Sequence, residues 1–597
     1  MAITAQPICR RVLGERYAAP GEASPSDVYL RVARALAQAE AAQRRERVFR
    51  RFLQNMQRGA IGAGRIMANA GTGRCATMVN CFVHPVGLGG GGLSFEAGLA
   101  QACTTLSMGG GVGYDFSLLP PESAEVGEQC FLPSVCAAID RYDQASMRLE
   151  FKGERRGAQM AVLACTHPDI RQFIQAKRGR TRWGTFNLSV AITDAFMRAV
   201  LADSLWPLTH ALRPDSAAIA QGARRLENGD WLYRLEPARA LWSAIAQAAL
   251  HSSEPGLLYI DTIQRANNLR AVEAITATNP CGEQPLPAYG SCVLGPINLT
   301  RLVDNPFGVG GTPRVAWRRL AAMVHTQVRL LDNVLELTRW PIPEQRDEAL
   351  SKRRIGVGVT GLADMLTLLR LRYDDAAGRS AARDVVRFIR DRAYAASAAL
   401  AAERGPFPLY RRQDYLAPDA VGQRLPAAVR EAIGRHGLRH SHLMAIAPTG
   451  SVSLAFADNC SNGVEPAYAW AYRRAVRFSA APSAWMSVEN HAWRLWRHLH
   501  GTEAGLPNYF VNAASISPWD HVAMMAVLQP CVDAAISKTV PLATGCSRED
   551  VEALFLQAWR SGLKGLTVFR PDPRMDSVMR AGGQESKDEC EACRSAP

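Results

Sequence analysis

The chain has 597 residues, 48% of them hydrophobic and 21% charged, which fits a folded globular protein with a large core and excludes a disordered one. Its formal net charge of +14 invites a nucleic-acid reading. The basic residues are dispersed, however, nearly all are arginine with only six lysines, and no aromatic-interleaved basic stripe occurs, so small anionic nucleotides are better candidate ligands than a nucleic-acid polymer.

The opening MAITAQPICRRVLGER lacks the continuous apolar stretch of a secretory signal, and no apolar run approaches the ~20 residues of a membrane span, so the sequence reads as cytoplasmic. Fourteen cysteines in such a chain argue for thiol chemistry rather than a disulfide framework. With one lone CxxC and no second close pair, a metal site is not expected. Residues from about 26 to 58 read as one helical stretch, capped by Ser24 or Ser26, with Val28, Leu30, Val32 and Leu36 at helix-like spacings. Cys81 opens the short apolar run Cys-Phe-Val, a buried strand, whereas Cys75 sits in a polar Gly-Thr-Gly-Arg context that reads as loop. Gly89 to Gly92 reads as a plain loop. Gly109, Gly110 and Gly111 follow a helix from about Phe95 and would let backbone amides approach a ligand, although a flexible turn has the same composition. Arg155-Arg156-Gly157 precedes an apolar strand, and on its residues alone is equally a solvated strand entry.

The densest chemistry lies at Asn279-Pro-Cys281-Gly-Glu283, with Cys292 beyond it. In an extended segment alternate residues share a face, which would gather an amide, a thiol and a carboxylate in one patch. Gly356-Val-Gly-Val-Thr-Gly361 is a literal GxGxxG, but the preceding Ser-Lys-Arg-Arg-Ile cannot be the buried strand a dinucleotide fold requires. A nicotinamide-dependent oxidoreductase therefore stays a distant alternative. Pro448-Thr449-Gly450-Ser451 follows the apolar strand His-Leu-Met-Ala-Ile; its amides and hydroxyls suit phosphate oxygens, although a hairpin turn would look the same. From about Pro571 the chain turns polar and carries Cys590-Glu-Ala-Cys593, a pair with the spacing for reversible disulfide formation. A flexible linker of about twenty residues between Arg570 and Cys590 spans roughly 25 Å, enough to reach a buried site.

Asn279-Pro-Cys-Gly-Glu-Gln-Pro-Leu-Pro followed by Cys292 resembles the finger loop of ribonucleotide reductases, and is most similar to that of the adenosylcobalamin-dependent (class II) enzymes. The likeness runs from about residue 60 to about 570 through a series of segments in family order. It implies a ten-stranded α/β barrel of two parallel five-stranded halves around a central finger loop. A short helical segment without a full ATP cone (1–60) would precede the catalytic barrel (61–570), and a flexible redox tail (571–597) would follow. By the same resemblance Cys281 becomes a thiyl radical that removes the substrate's 3′-hydrogen, Glu283 is the base on the 3′-hydroxyl, and Asn279 holds the substrate hydroxyls. Cys81 and Cys292 would be the reducing pair, re-reduced by Cys590 and Cys593 and then by thioredoxin- or glutaredoxin-like proteins. Gly109 to Gly111 would line the ribose pocket and Pro448 to Ser451 would take the phosphates. Arg155, Arg156 and Gly157 would form the specificity loop between a deoxynucleotide effector and the substrate base.

Class I members of that family pass a radical through two adjacent tyrosines where this chain has Val568 and Phe569, and class III members need a glycyl-radical motif that does not occur here. Adenosylcobalamin is the remaining radical source, although no Asp-x-His-x-x-Gly cobalamin motif is present. The resemblance further implies a ribonucleotide substrate, most simply a diphosphate, and a homodimer with neither nucleic acid nor membrane as partner. A non-catalytic nucleotide-binding regulator would explain the phosphate turns but not five cysteines matching redox roles.

Overall fold

The computed structural model describes residues 3–88, 92–125, 132–150, 157–178, 182–476, 484–543, 545–570 and 579–581. Gly89, Gly90, Gly91, Arg155, Arg156, Cys590 and Cys593 lie outside the described residues.

Three helices open the chain, Pro7–Arg16, Pro25–Leu36 and Ala42–Gln57. Pro25 occupies a first-turn position where its missing N–H costs nothing, and Ser24 and Asp27 cap each other's backbone reciprocally. The single helix expected over 26–58 is thus two, parted by the 3-10 turn Ala37–Ala39 and extended Glu40. The break delivers the Glu40 carboxylate into the interior, where it accepts hydrogen bonds from Arg329 (2.5 and 2.8 Å), Arg404 (2.6 Å) and Asn333 (2.9 Å). Pro7–Arg16 buries Ile8, Cys9, Val12 and Leu13.

The core is one nine-stranded sheet. Its strands are β1 (Cys81–His84), β2 (Gly111–Asp115), β3 (Gln159–Ala164), β4 (Phe186–Ile192), β5 (Gly256–Tyr259), β6 (Ser291–Asn298), β7 (Ile355–Thr360), β8 (Thr539–Pro541) and β9 (Gly565–Phe569). In space the order is β7-β6-β1-β2-β3-β4-β5-β9-β8. The strands β1 to β5 run mutually parallel. So do β6 with β7 and β8 with β9, while β1/β6 and β5/β9 are antiparallel junctions.

Segment 442–446 continues the ladder beyond β7. Ile355 and Val357 donate to His442 and Leu443 (3.1 and 2.8 Å), Ile446 donates to Ala535 (3.2 Å), and Ser537 donates to Ile446 (2.9 Å), with parallel bridges on both sides. Residues 534–537 run on into β8, the other edge of the sheet. The two edges are therefore joined through 442–446, and the second half of the sheet also comprises five parallel segments. Strands covered on both faces read as continuous apolar runs, which is why β6 and β7 are buried at every position.

The GxGxxG stretch is β7 itself. Gly356 and Gly358 are small because a Cβ would stand 2.5 Å from Leu294 Cδ2 and 2.6 Å from the Ala445 carbonyl oxygen. Arg353 and Arg354, before it, are both buried. Arg353 meets Asp332 (2.5 Å), and Arg354 meets Glu348 (2.6 Å) and Glu273. No nucleotide-binding turn exists there, and the dehydrogenase alternative falls. No helix among the described residues is long and apolar enough to cross a membrane.

Candidate active site

The short strands Ala277–Thr278 and Pro285–Leu286 form a hairpin whose loop is residues 279–284. The spacing of Asn279, Cys281 and Glu283 suggests extended geometry, but the segment is a turn. Gly282, at φ +80, donates its N–H to the Asn279 carbonyl (3.0 Å), and Asn279 Oδ1 accepts the Gln284 N–H (2.9 Å). Chain reversal rather than strand alternation brings Asn279 and Glu283 together, both buried, and leaves Cys281 exposed at the apex.

The hairpin lies directly on the sheet because β2 is glycine-rich. A Cβ at Gly113 would fall 1.8 Å from the Thr278 carbonyl oxygen, and one at Gly111 would come 3.3 Å from Pro280 Cγ. The glycines at 109 to 111 thus pack closely against the protein itself, Gly109 on the Arg65 side chain, Gly110 on Phe82 and Thr105, and Gly111 on the Asn80 carbonyl and the Pro280 ring. Gly109 and Gly111 line the active-site cavity, while Gly110 packs on Phe82 and meets Gly157, whose Cβ would stand 2.5 Å from the Gly110 oxygen.

Cys81 and Cys292 are directly opposite residues in the β1/β6 junction, and both are buried thiols. Opposed residues in an antiparallel pair have Cα atoms about 4.5–5.5 Å apart, within the range a disulfide bridges. Asn279 Nδ2 donates to Cys81 Sγ (3.1 Å), and the Cys81 thiol donates to Glu283 Oε1 (3.5 Å). Burial, reinforced by the neighbouring carboxylate, holds the Cys81 thiol well above the usual thiol range, and burial raises Cys292 likewise. Burial also raises the Glu283 carboxyl, partly offset by hydrogen bonds from Asn279 and Cys81. Glu283 Oε2 is buried with no hydrogen-bond partner among the described residues, which leaves an acceptor available to a ligand.

Glu283 lines a cavity of ≈ 290 Å³ together with Cys81, Asn279, Cys281 and residues 447–452. Thr449 sits at φ +58, before the helix Gly450–Phe456. Its hydroxyl is shared with Thr360 Oγ1 (2.8 Å) and accepts the Gly463 N–H (3.0 Å), while Ser451 Oγ bonds Tyr17 Oη (2.6 Å). These hydroxyls, read from sequence as waiting for phosphate, also anchor the turn to β7 and to the N-terminal helices. Arg16, Arg65, Asn80 and Arg474 line the same cavity and are not singled out by sequence; arginines dispersed along so arginine-rich a chain carry no local signal.

Cys281 also lines a second cavity of ≈ 360 Å³, with Ser189, Ser253, Thr567, Val568 and Phe569. The apex cysteine thus borders two spaces.

A buried dithiol set across a sheet junction beneath a cysteine-tipped hairpin defines a thiol-based redox site. The barrel domain of ribonucleotide reductase matches residues 79–569 and its all-alpha domain matches residues 5–75. This chain belongs to the ribonucleotide reductase large-chain family. It is 34% identical to a vitamin B12-dependent ribonucleoside-diphosphate reductase of Mycobacterium tuberculosis, over 96% of this chain and 79% of that protein. It is 32% identical to the Thermoplasma acidophilum protein of the same name, over 87% of this chain and 65% of that one. It is 26% identical to the ribonucleoside-diphosphate reductase subunit alpha of a Synechocystis species, over 98% and 77%.

Proposed function

We propose that this chain reduces ribonucleotides, most simply ribonucleoside diphosphates, to 2′-deoxyribonucleotides by a thiyl-radical reaction that depends on adenosylcobalamin. The observation that carries this reading is the position of Cys281, at the apex between the cavity holding Cys81, Glu283 and the 448–451 turn and the second cavity beside it.

The second cavity fits the adenosyl end of that cofactor. Its Ser189, Ser253 and Thr567 hydroxyls and its Phe569 ring suit a ribose and a flat base, and Gly256 leaves open the space where a Cβ would stand 2.8 Å from Thr567 Oγ1. When bound, adenosylcobalamin supplies a radical through homolysis of its cobalt–carbon bond. Val568 and Phe569, lacking phenolic O–H groups, offer no tyrosine path from another subunit.

As a thiyl, Cys281 takes the 3′-hydrogen of the bound ribonucleotide, exchanging a C–H bond for an S–H bond. Glu283 accepts the 3′-hydroxyl proton at its unpartnered oxygen. Asn279 steadies the Cys81 sulfur and the substrate hydroxyls. Cys81, kept protonated by burial, gives its proton to the departing 2′-hydroxyl, which leaves as water. The Cys81/Cys292 pair supplies two electrons and two hydrogens, the second hydrogen replacing the hydroxyl at C2′ as the pair joins as a disulfide; Glu283 returns its proton to the 3′-oxygen, and Cys281 returns its hydrogen to C3′.

Re-reduction falls to Cys590 and Cys593 and then to a thioredoxin- or glutaredoxin-like protein, on the tail 571–597 that follows the catalytic unit 61–570 and the helical segment 1–60. Arg155, Arg156 and Gly157 would relay deoxynucleotide effectors, bound in a homodimer, to the substrate base. The reaction would take place in the cytoplasm. The test is anaerobic reduction of CDP and CTP by the purified chain with dithiothreitol and a metal chelator, with and without adenosylcobalamin. Deoxynucleotide only with the cobalamin is expected; none with either substrate across a panel of deoxynucleotide effectors overturns the proposal.

A further inference from the structure

We infer that Arg65 and Arg16, contributed by the N-terminal helices, bind the substrate's phosphates and set its selectivity for charge; this rests on the nucleotide-substrate reading above. The 448–451 turn offers amides and neutral hydroxyls, and the Thr449 and Ser451 hydroxyls already have protein partners. A diphosphate carries several negative charges, and taking it from water into a cleft calls for cations as well as dipoles.

Cations line the same space. The catalytic cavity is lined by Arg16, Arg65 and Arg474, and a smaller adjoining one by Arg16, Arg65 and Arg74 together with Tyr17 and Ser451. Among the described lining residues of both, Glu283 is the only carboxylate, and it lines the catalytic cavity alone. The smaller cavity thus sets Arg16 and Arg65 beside Ser451 of the phosphate turn.

Arg65 is the better built of the two. It is 8% exposed, in the helix Gly64–Asn69, and its guanidinium lies against Gly109, where a Cβ would come within 2.7 Å of Nη1. Gly109 stands at φ +92, so a side chain there is disfavoured by backbone as well as by space. The glycine gives the planar guanidinium room to lie flat, and the fork geometry of a guanidinium matches phosphate oxygens. Arg16 ends the Pro7–Arg16 helix, one residue before Tyr17, whose hydroxyl holds Ser451. The all-alpha segment is thereby tied to the phosphate turn and completes the substrate site.

The experiment is equilibrium titration of the full chain with CDP and with cytidine, comparing wild type, Arg65→Gln, Arg65→Lys and Arg16→Gln. Each Gln variant is expected to weaken CDP binding by about tenfold or more and to leave cytidine unchanged, with Arg65→Lys recovering part of the loss. If Arg65→Gln fails to fold by circular dichroism, the comparison of Arg16→Gln with wild type decides the matter. Unchanged CDP affinity in the folded Gln variants, or an equal loss for cytidine, overturns the inference. Wild type that binds no CDP overturns the nucleotide-substrate reading itself and this inference with it.

Discussion

Cys81 and Cys292 face each other across one of the two antiparallel junctions that join the parallel halves of the sheet. Neighbouring parallel strands of one half present their residues in slanted register, whereas an antiparallel pair sets two side chains directly opposite at bridging distance. The junction, one of two antiparallel ones in the sheet, therefore provides a site for a reversible disulfide inside a mostly parallel core. The finger hairpin, resting on Gly113, brings Glu283 and Asn279 to the same thiol.

The pH dependence of the reaction follows from Glu283. In the proposed reaction it must be ionised to accept the 3′-hydroxyl proton, and burial raises its pKa, so kcat/KM should rise with pH through an acid limb lying above the ordinary glutamate range. Glu283→Gln should lower kcat by about 10²–10⁴-fold and remove the limb. An unchanged limb in that variant would assign it to another group.

Gly113→Ala should disable the site through the hairpin. Its Cβ would meet the Thr278 carbonyl oxygen at 1.8 Å, a backbone atom that cannot swing aside. The expected result is loss of ribonucleotide reduction with an overall fold that still melts cooperatively, because the hairpin and not the sheet must move. Wild-type activity in Gly113→Ala would show that the hairpin does not need this seat.

Acid should weaken the contact between the N-terminal helices and the barrel. Burial alone would raise the Glu40 carboxyl, but Arg329, Asn333 and Arg404 hold it down to about 2, and His440, Arg353 and Arg439 hold buried Asp332 well below the usual range despite its burial. Carboxyls depressed in the folded state stabilise it above their unfolded pKa values and lose that contribution as pH falls through the folded ones. Thermal melts should therefore drop from about pH 4.5 toward pH 2. Arg404→Ala, which strips a partner from both acids, should cost roughly 3–5 kcal/mol near neutrality. Chemical denaturation checks the second figure.

Cys590→Ser should leave a first turnover intact and abolish sustained turnover with thioredoxin, while dithiothreitol restores part of the rate. Full multiple-turnover activity with thioredoxin in this variant would remove the tail from the reaction cycle.

Much of this site is legible in the sequence because its chemistry is concentrated in short runs. Asn279, Cys281, Glu283 and Cys292 fall within one segment, and the Pro448–Ser451 turn follows an apolar stretch. What misleads is local geometry inferred from spacing alone. Alternation suggests that Asn279, Cys281 and Glu283 share a face, but the turn at Gly282 buries the outer two and exposes the middle one. Glycines at 356 and 358 imitate a nucleotide loop although tight packing against Leu294 and Ala445 explains them. Apolar spacing across 26–58 cannot reveal that Glu40 breaks the helix to reach Arg329 and Arg404, partners hundreds of residues away. The same distance hides Arg16, Arg65 and the Tyr17–Ser451 contact.

The central claim is that Cys81 and Cys292 supply the electrons. The most direct measurement uses the chain carrying Cys590→Ser and Cys593→Ser, incubated anaerobically with CDP and adenosylcobalamin and no external reductant. Product is quantified, and disulfides are located by mass spectrometry. The account predicts one Cys81–Cys292 disulfide for each dCDP formed, and neither product nor disulfide when Cys281→Ser is added. Formation of dCDP while Cys81 and Cys292 remain thiols would contradict it.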